Sequence, residues 1–183
     1  MNTKKFHLDL QHQSFRVMLD GKSHLAPITN PKRVLDLATG TGNWAIEFCT
    51  SINFQSNIPF SRCPAQEYPE ANVLGTDLSP IQPDLYATSC FPHSTIPNST
   101  SSIPNNCRFE VDDAEDDWTF SEPFDYIHAR AILACFQDNR AIAQKIFDNL
   151  APGGYFELQD PSIPMKCDDE TLEGTPLDQL VYF

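Results

Sequence analysis

The sequence predicts an α/β fold, an open and mostly parallel sheet with helices on both faces. Three observations lead there. Short β-type runs alternate with segments whose apolar residues recur at helical spacing. The first run breaks into Ala38-Thr39-Gly40-Thr41-Gly42 and passes directly into a helical pattern, the strand, glycine turn and helix that open a βαβ unit. The 183 residues, 40% hydrophobic and 20% charged, have the make-up of one globular domain.

The elements follow in order. Residues 1–30 form a lead-in whose Leu8, Phe15, Val17, Leu19 and Leu25 fit a short amphipathic segment. Pro31 stops any helix there. The main domain is read over 31–160. Arg33-Val34-Leu35-Asp36-Leu37 is the first strand, and Trp44, Ala45, Ile46, Phe48 and Cys49 mark the helix after the glycines. The second strand, 71–78, ends in Asp77-Leu78, and the third is 107–111. An acidic stretch from Asp112 to Asp125 leads into the fourth strand at 124–128, where Phe124 and Tyr126 read as core. Residues 139–150 have a helical apolar face, Pro152-Gly153-Gly154 is read as its stop, and 155–159 as the fifth strand. Residues 161–183 are a short acidic tail. Right-handed crossovers place the glycine turn at the carboxyl edge of the sheet, near the topological switch point where ligands bind.

A formal net charge of −13 makes nucleic acid and anionic membranes poor partners. Asp9, Gln11 and His12 interrupt any secretory apolar block, and no window has the length of a membrane span. An intracellular location, cytoplasmic or nuclear, is therefore expected. The six cysteines are scattered without a C-x-x-C pair, so reduced thiols and no metal site are expected. Asn98-Ser99-Thr100 matches a glycosylation sequon by chance.

Gly40 and Gly42 let a ligand approach the backbone where a Cβ would collide, and the helix that follows presents free N–H groups. Two ligands compete for such a turn. A dinucleotide satisfies G-x-G-x-x-G/A through Gly40, Gly42 and Ala45. S-adenosyl-L-methionine (SAM) is cationic at sulfur and carries an ammonium, so it favours an acid beside the turn. Asp36 supplies one, where a pyrophosphate would be repelled. Asp77 can accept from ribose hydroxyls in either case. Asp113 after the third strand can accept from an adenine amino group while the next N–H donates to a ring nitrogen, which favours SAM. His128 and Arg130, near the end of the fourth strand, can face the methyl group. His128 is read as a packed or surface-bonded histidine, Arg130 can equally pair with one of the nearby acids, and no catalytic residue is assigned.

Four segments then appear in order: Val34 to Gly42, Gly75-Thr76-Asp77-Leu78-Ser79-Pro80, Val111 to Asp116, and Pro152 to Glu157. Together they resemble the successive motifs of class I SAM-dependent methyltransferases, and more narrowly the fungal LaeA-like secondary-metabolism methyltransferases. Gln11-His12-Gln13, Asp20-Gly21-Lys22 and Leu25-Ala26-Pro27 are similar to that group as well. The resemblance implies a Rossmann-like class I methyltransferase sheet and a small-molecule or protein acceptor. It implies that Asp36, Gly40 and Gly42 contact the methionine part of SAM, that Asp77 holds the ribose, that Asp113 and the Ala114 amide hold adenine, and that Leu78 packs on the adenine face.

The chain departs from the family pattern in three places. Ala38 stands where the family has its first glycine, which strains the turn if that position needs a positive φ. Residues 51–66 and 84–105 look like insertions. The sequence stops soon after the fifth strand, so the last strands of the family sheet are expected to be lacking and the chain to be C-terminally truncated. These departures also support an alternative reading, a catalytically degenerate methyltransferase-like regulatory or interaction protein.

Overall fold

The structure, a computed structural model, describes residues 3–49, 68, 70–83, 103–161, 169, 171, 174 and 175. Most of the two apparent insertions and of the tail lies outside the described residues. So do Cys63, Cys90, Cys167 and the sequon. The elements are α1 (Thr3–Met18), β1 (Arg33–Leu37), α2 (Asn43–Cys49), β2 (Asn72–Asp77), β3 (Cys107–Val111), β4 (Phe124–Arg130), α3 (Asn139–Asp148) and β5 (Leu150–Gln159). The five strands form one sheet in the order β3-β2-β1-β4-β5, every pair parallel. The chain runs outward from β1 to β3 and then restarts on the other side at β4. The switch point therefore lies between the carboxyl ends of β1 and β4.

The alternation along each strand divides the core in two. Val34, Val73 and Tyr126 face α2 and pack with its Trp44, Ala45 and Phe48. Leu35, Leu37, Leu74, Ile127 and Ala129 face the other way and pack with Ile142 and Ile146 of α3. Helices thus cover both faces, as the near-continuous apolar strands demand. Phe124 and Tyr126 are fully enclosed core residues, as their pattern suggested.

Carboxylates fasten the frame. Asp125 accepts from the Lys32 and Arg33 amides at 2.7 and 2.9 Å and fixes the start of β1 against β4. Asp138 caps α3 by accepting from the Arg140 and Ala141 amides. Glu157 of β5 accepts from the Leu25 and Ala26 amides and the Tyr126 hydroxyl, tying the lead-in to the sheet.

Two elements differ from the sequence reading. The lead-in begins with a four-turn helix that buries only His12 and Phe15, leaving Val17 and Leu25 outside. β5 starts at Leu150, five residues earlier than expected, because Asn149 already caps α3. Pro152 is tolerated there because β5 has one strand neighbour among the described residues and needs fewer donors. Gly154 lies where a Cβ would stand 3.0 Å from the Asp125 carbonyl, beside the register shift between Phe124 and Tyr126.

Candidate functional site

A cavity of about 300 Å³ opens at the carboxyl ends of β1, β2 and β4, at the switch point. It lies in the size range of small-molecule sites. Asp36, Gly40, Asp77, Leu78, Asp113 and Ala114 all line it. Gly42 does not. It has φ +80, and a Cβ there would stand 2.5 Å from the Phe109 ring. Gly75 is under the same constraint from the other side, with Phe109 at 2.7 Å. These two glycines make room for a β3 side chain under the turn. A Cβ at Gly40, which has φ +60, would meet Leu8 of α1 at 3.7 Å, an ordinary contact.

The turn contains the strain its sequence suggested. Ala38 adopts φ +54, and Ala131, after β4, adopts φ +55. Both line the cavity, and left-handed alanines persist only where the surroundings impose them.

Asp77 accepts from the Gly40 amide at 2.9 Å through Oδ2 and from the Ser79 amide at 2.8 Å through Oδ1. It thereby joins the end of β2 to the glycine turn of β1. Each carboxylate oxygen accepts more than one bond, so both retain capacity toward the cavity. Asp113 accepts from the Glu115 amide at 2.9 Å and is half-buried. Leu78 is 66% exposed.

Asp36 is more deeply committed. It is 3% exposed, accepts from Thr39 Oγ1, and lies 2.8 Å from His128 Nδ1. The pairing of β1 with β4 sets Asp36 opposite His128. His128 is fully buried, with its ring stacked on Trp44 at 3.7 Å between centroids and 4° between planes. Its Nε2 has no hydrogen-bond partner among the described residues. A carboxylate can only accept, so Nδ1 carries a proton.

Arg130 does not pair directly with an acid among the described residues. Its Nε donates to Gln159 Oε1 at 2.8 Å, its Nη1 lies 3.2 Å from His12 Nδ1, and its guanidinium stacks 4.9 Å from the Phe15 ring centre. Burial pulls its pKa down, while Asp36 and Glu47 push back from a distance. His12 in turn sits 3.2 Å from Glu47, which also binds Arg16 at 3.0 Å. Burial works against the Glu47 charge, but His12 and Arg16 outweigh it and hold the carboxyl below its usual value.

Sequence reasoning missed the contribution of α1. Its Lys4, Leu8, Gln11 and His12 line the cavity, and Lys4 Nζ donates to Ser79 Oγ at 2.9 Å. The Gln11-His12 pair was a visible signal, but its place in the fold was not. No helix among the described residues is long and apolar enough to cross a membrane.

Comparison with known proteins identifies a family and a shared fold. Residues 10–178 match a family model described as a methyltransferase domain. The chain is 34% identical over 174 residues to tdiE of Emericella nidulans, named as a methyltransferase, covering 94% of this chain and 44% of that protein. It is 34% identical over 173 residues to the protein-methionine methyltransferase laeA of the same fungus, covering 93% and 37%. The chain thus spans less than half the length of these curated relatives. Among solved structures, coclaurine N-methyltransferase bound to N-methylheliamine and SAH shares the fold, with a TM-score of 0.54 at 18% identity, covering 78% of this chain and 34% of that one.

Proposed function

The chain belongs to the methyltransferase domain family, and we propose that it acts as a SAM-dependent methyltransferase of fungal secondary metabolism, with a small molecule or a protein as acceptor. The observation that carries this reading is the convergence of Asp36, Asp77 and Asp113, from the ends of three different strands, on one cavity beside the glycine turn. The relatives tdiE and laeA bear methyltransferase names, and the neighbour of the same fold was solved with SAH, the demethylated product of the donor.

The residues present suit such a donor. An open backbone at Gly40 admits a close approach, and acids face a cationic ligand. Asp77 would accept from ribose hydroxyls, Asp113 from the adenine amino group with the Ala114 amide donating beside it, and Leu78 would cover a base face. Asp36 would act on the positive charge from beneath the turn, since both of its oxygens are engaged. Gly42 would serve indirectly, by letting Phe109 support the turn. When bound, SAM supplies a methyl group already activated by its sulfonium. The chain's task is to hold donor and acceptor in line and exclude water.

Calorimetric titration with SAH tests the reading. Wild-type protein is expected to bind, and Asp77→Ala to bind about 1.5–3 kcal/mol more weakly, the worth of hydrogen bonds to a charged group. Unchanged affinity would remove Asp77 from the site. No heat from folded wild-type protein would favour the non-catalytic alternative, which the left-handed Ala38 in the turn supports.

A further inference from the structure

Five acids line the cavity, namely Asp36, Asp77, Asp112, Asp113 and Glu115. The lysine and arginine that line it are Lys4 and Arg130. Their placement follows the strand order. Asp113 follows β3, Asp77 ends β2, the glycine turn follows β1 and Arg130 ends β4. These are neighbouring strands, so the series spans three strand spacings, about 14 Å. A ligand with its base at Asp113 and its sugar at Asp77 lays its next segment over the glycine turn and its far end over β4.

At that end the guanidinium is held by Gln159, His12 and Phe15, none of them an acid. It has no ion pair with a carboxylate among the described residues, and its Nη2 is buried without a hydrogen-bond partner. A buried N–H of a charged group left bare is costly, and the cost is relieved when an anionic oxygen arrives. The fork geometry of arginine suits a carboxylate.

We propose that Arg130 is the carboxylate receptor of this cavity and takes the amino-acid carboxylate of the methyl donor. The inference rests on the donor reading above and extends it to the end of the site opposite the adenine. Nη2 is closed off from solvent here, so engagement requires a small shift of the side chains around it. Arg130 binds and orients the ligand and takes no part in the chemistry.

The test compares SAH with 5′-methylthioadenosine, which keeps the adenosine and sulfur but lacks the amino-acid portion. In R130Q, SAH affinity is expected to fall about 10- to 100-fold while 5′-methylthioadenosine affinity stays within about twofold. Equal loss of both ligands would show a structural role and overturn the assignment, as would unchanged SAH binding. Should R130Q fail to fold, R130K keeps the charge without the fork. It is expected to lose SAH affinity selectively by about fivefold, and the same two contrary results overturn the proposal. Wild-type protein that binds neither ligand would instead sink the donor reading, and this inference with it.

Discussion

The buried pair Asp36–His128 shows how a single carboxylate fixes the state of its neighbour. Asp36 is 3% exposed and accepts from two donors, Thr39 Oγ1 and His128 Nδ1. Asp36→Ala leaves both without a partner and is expected to cost about 2–5 kcal/mol in denaturant unfolding. Asp36→Asn behaves differently. Its amide oxygen can still accept from Thr39 while its NH2 donates to His128, but only if Nδ1 gives up its proton and Nε2 takes one. Asp36→Asn is therefore expected to fold with a smaller loss, about 1–2 kcal/mol. The Nδ1–H signal in the nitrogen-15 spectrum of the ring should vanish and an Nε2–H signal appear. An unchanged ring spectrum in that variant would show that Asp36 does not set the tautomer. Trp44, lying flat on the ring, holds its plane.

At the scale of elements, the acidic loop after β3 is held from an unexpected direction. Lys145 of α3 donates to the carbonyls of Ala114, Glu115 and Asp116 at 3.3, 2.6 and 2.7 Å. Trp118 Nε1 adds a bond to the Ala114 carbonyl at 3.0 Å. This gathers the segment that carries Asp113 and Ala114 against a helix on the α3 face of the sheet. Lys145→Met keeps the length of the side chain and removes its donors. It is expected to cost about 1–2 kcal/mol of stability and to speed amide exchange selectively over residues 113–117. Exchange that quickens uniformly, or not at all, would show that the loop is anchored elsewhere. Such ties also mark the limit of what the chain displays as a sequence. β1 to β4, α2 and α3 were legible because Val34 to Leu37, Trp44 to Phe48 and Ile142 to Ile146 carry local periodicity. That the acids at strand ends would share one edge was legible because the carboxyl ends of parallel strands lie together. His128 beneath Asp36, 92 residues apart, was hidden because it depends on the register of two strands. Arg130 against His12, 118 residues apart, depends on where α1 docks. The packing demand on Gly42 was hidden for the same reason, because the Phe109 ring beneath it comes from β3.

For the molecule as a whole, charge sets two opposing trends with pH. A net charge of −13 makes the folded chain repel itself near neutrality. Against this stand carboxylates that are more stable ionised in the fold than in the open chain. Burial works against the Glu157 charge, but Gln159, the Ala26 and Leu25 amides and the Tyr126 hydroxyl outweigh it and hold its carboxyl below the usual value of 4.5. Glu47 is lowered likewise by His12 and Arg16. A depressed folded pKa contributes stability that is present above the unfolded value and lost as pH falls through the folded one. The urea midpoint should therefore hold steady or rise as repulsion eases from pH 7 to about 5, then drop below about 4.5 as these two groups take up protons. Glu157→Gln isolates the second trend. It removes the charged acceptor that joins the lead-in to β5, so at pH 7 it should unfold about 1–2 kcal/mol more readily than the wild type. The gap should narrow in acid, where the wild-type carboxyl is protonated too. Repeating both series at about 0.5 M NaCl screens the long-range repulsion and leaves the short contacts of Glu157 largely intact. The narrowing should survive salt while the rise toward pH 5 flattens. A gap that stays constant from pH 7 to 3.5 would mean that the ionised carboxylate adds nothing beyond what a neutral amide supplies.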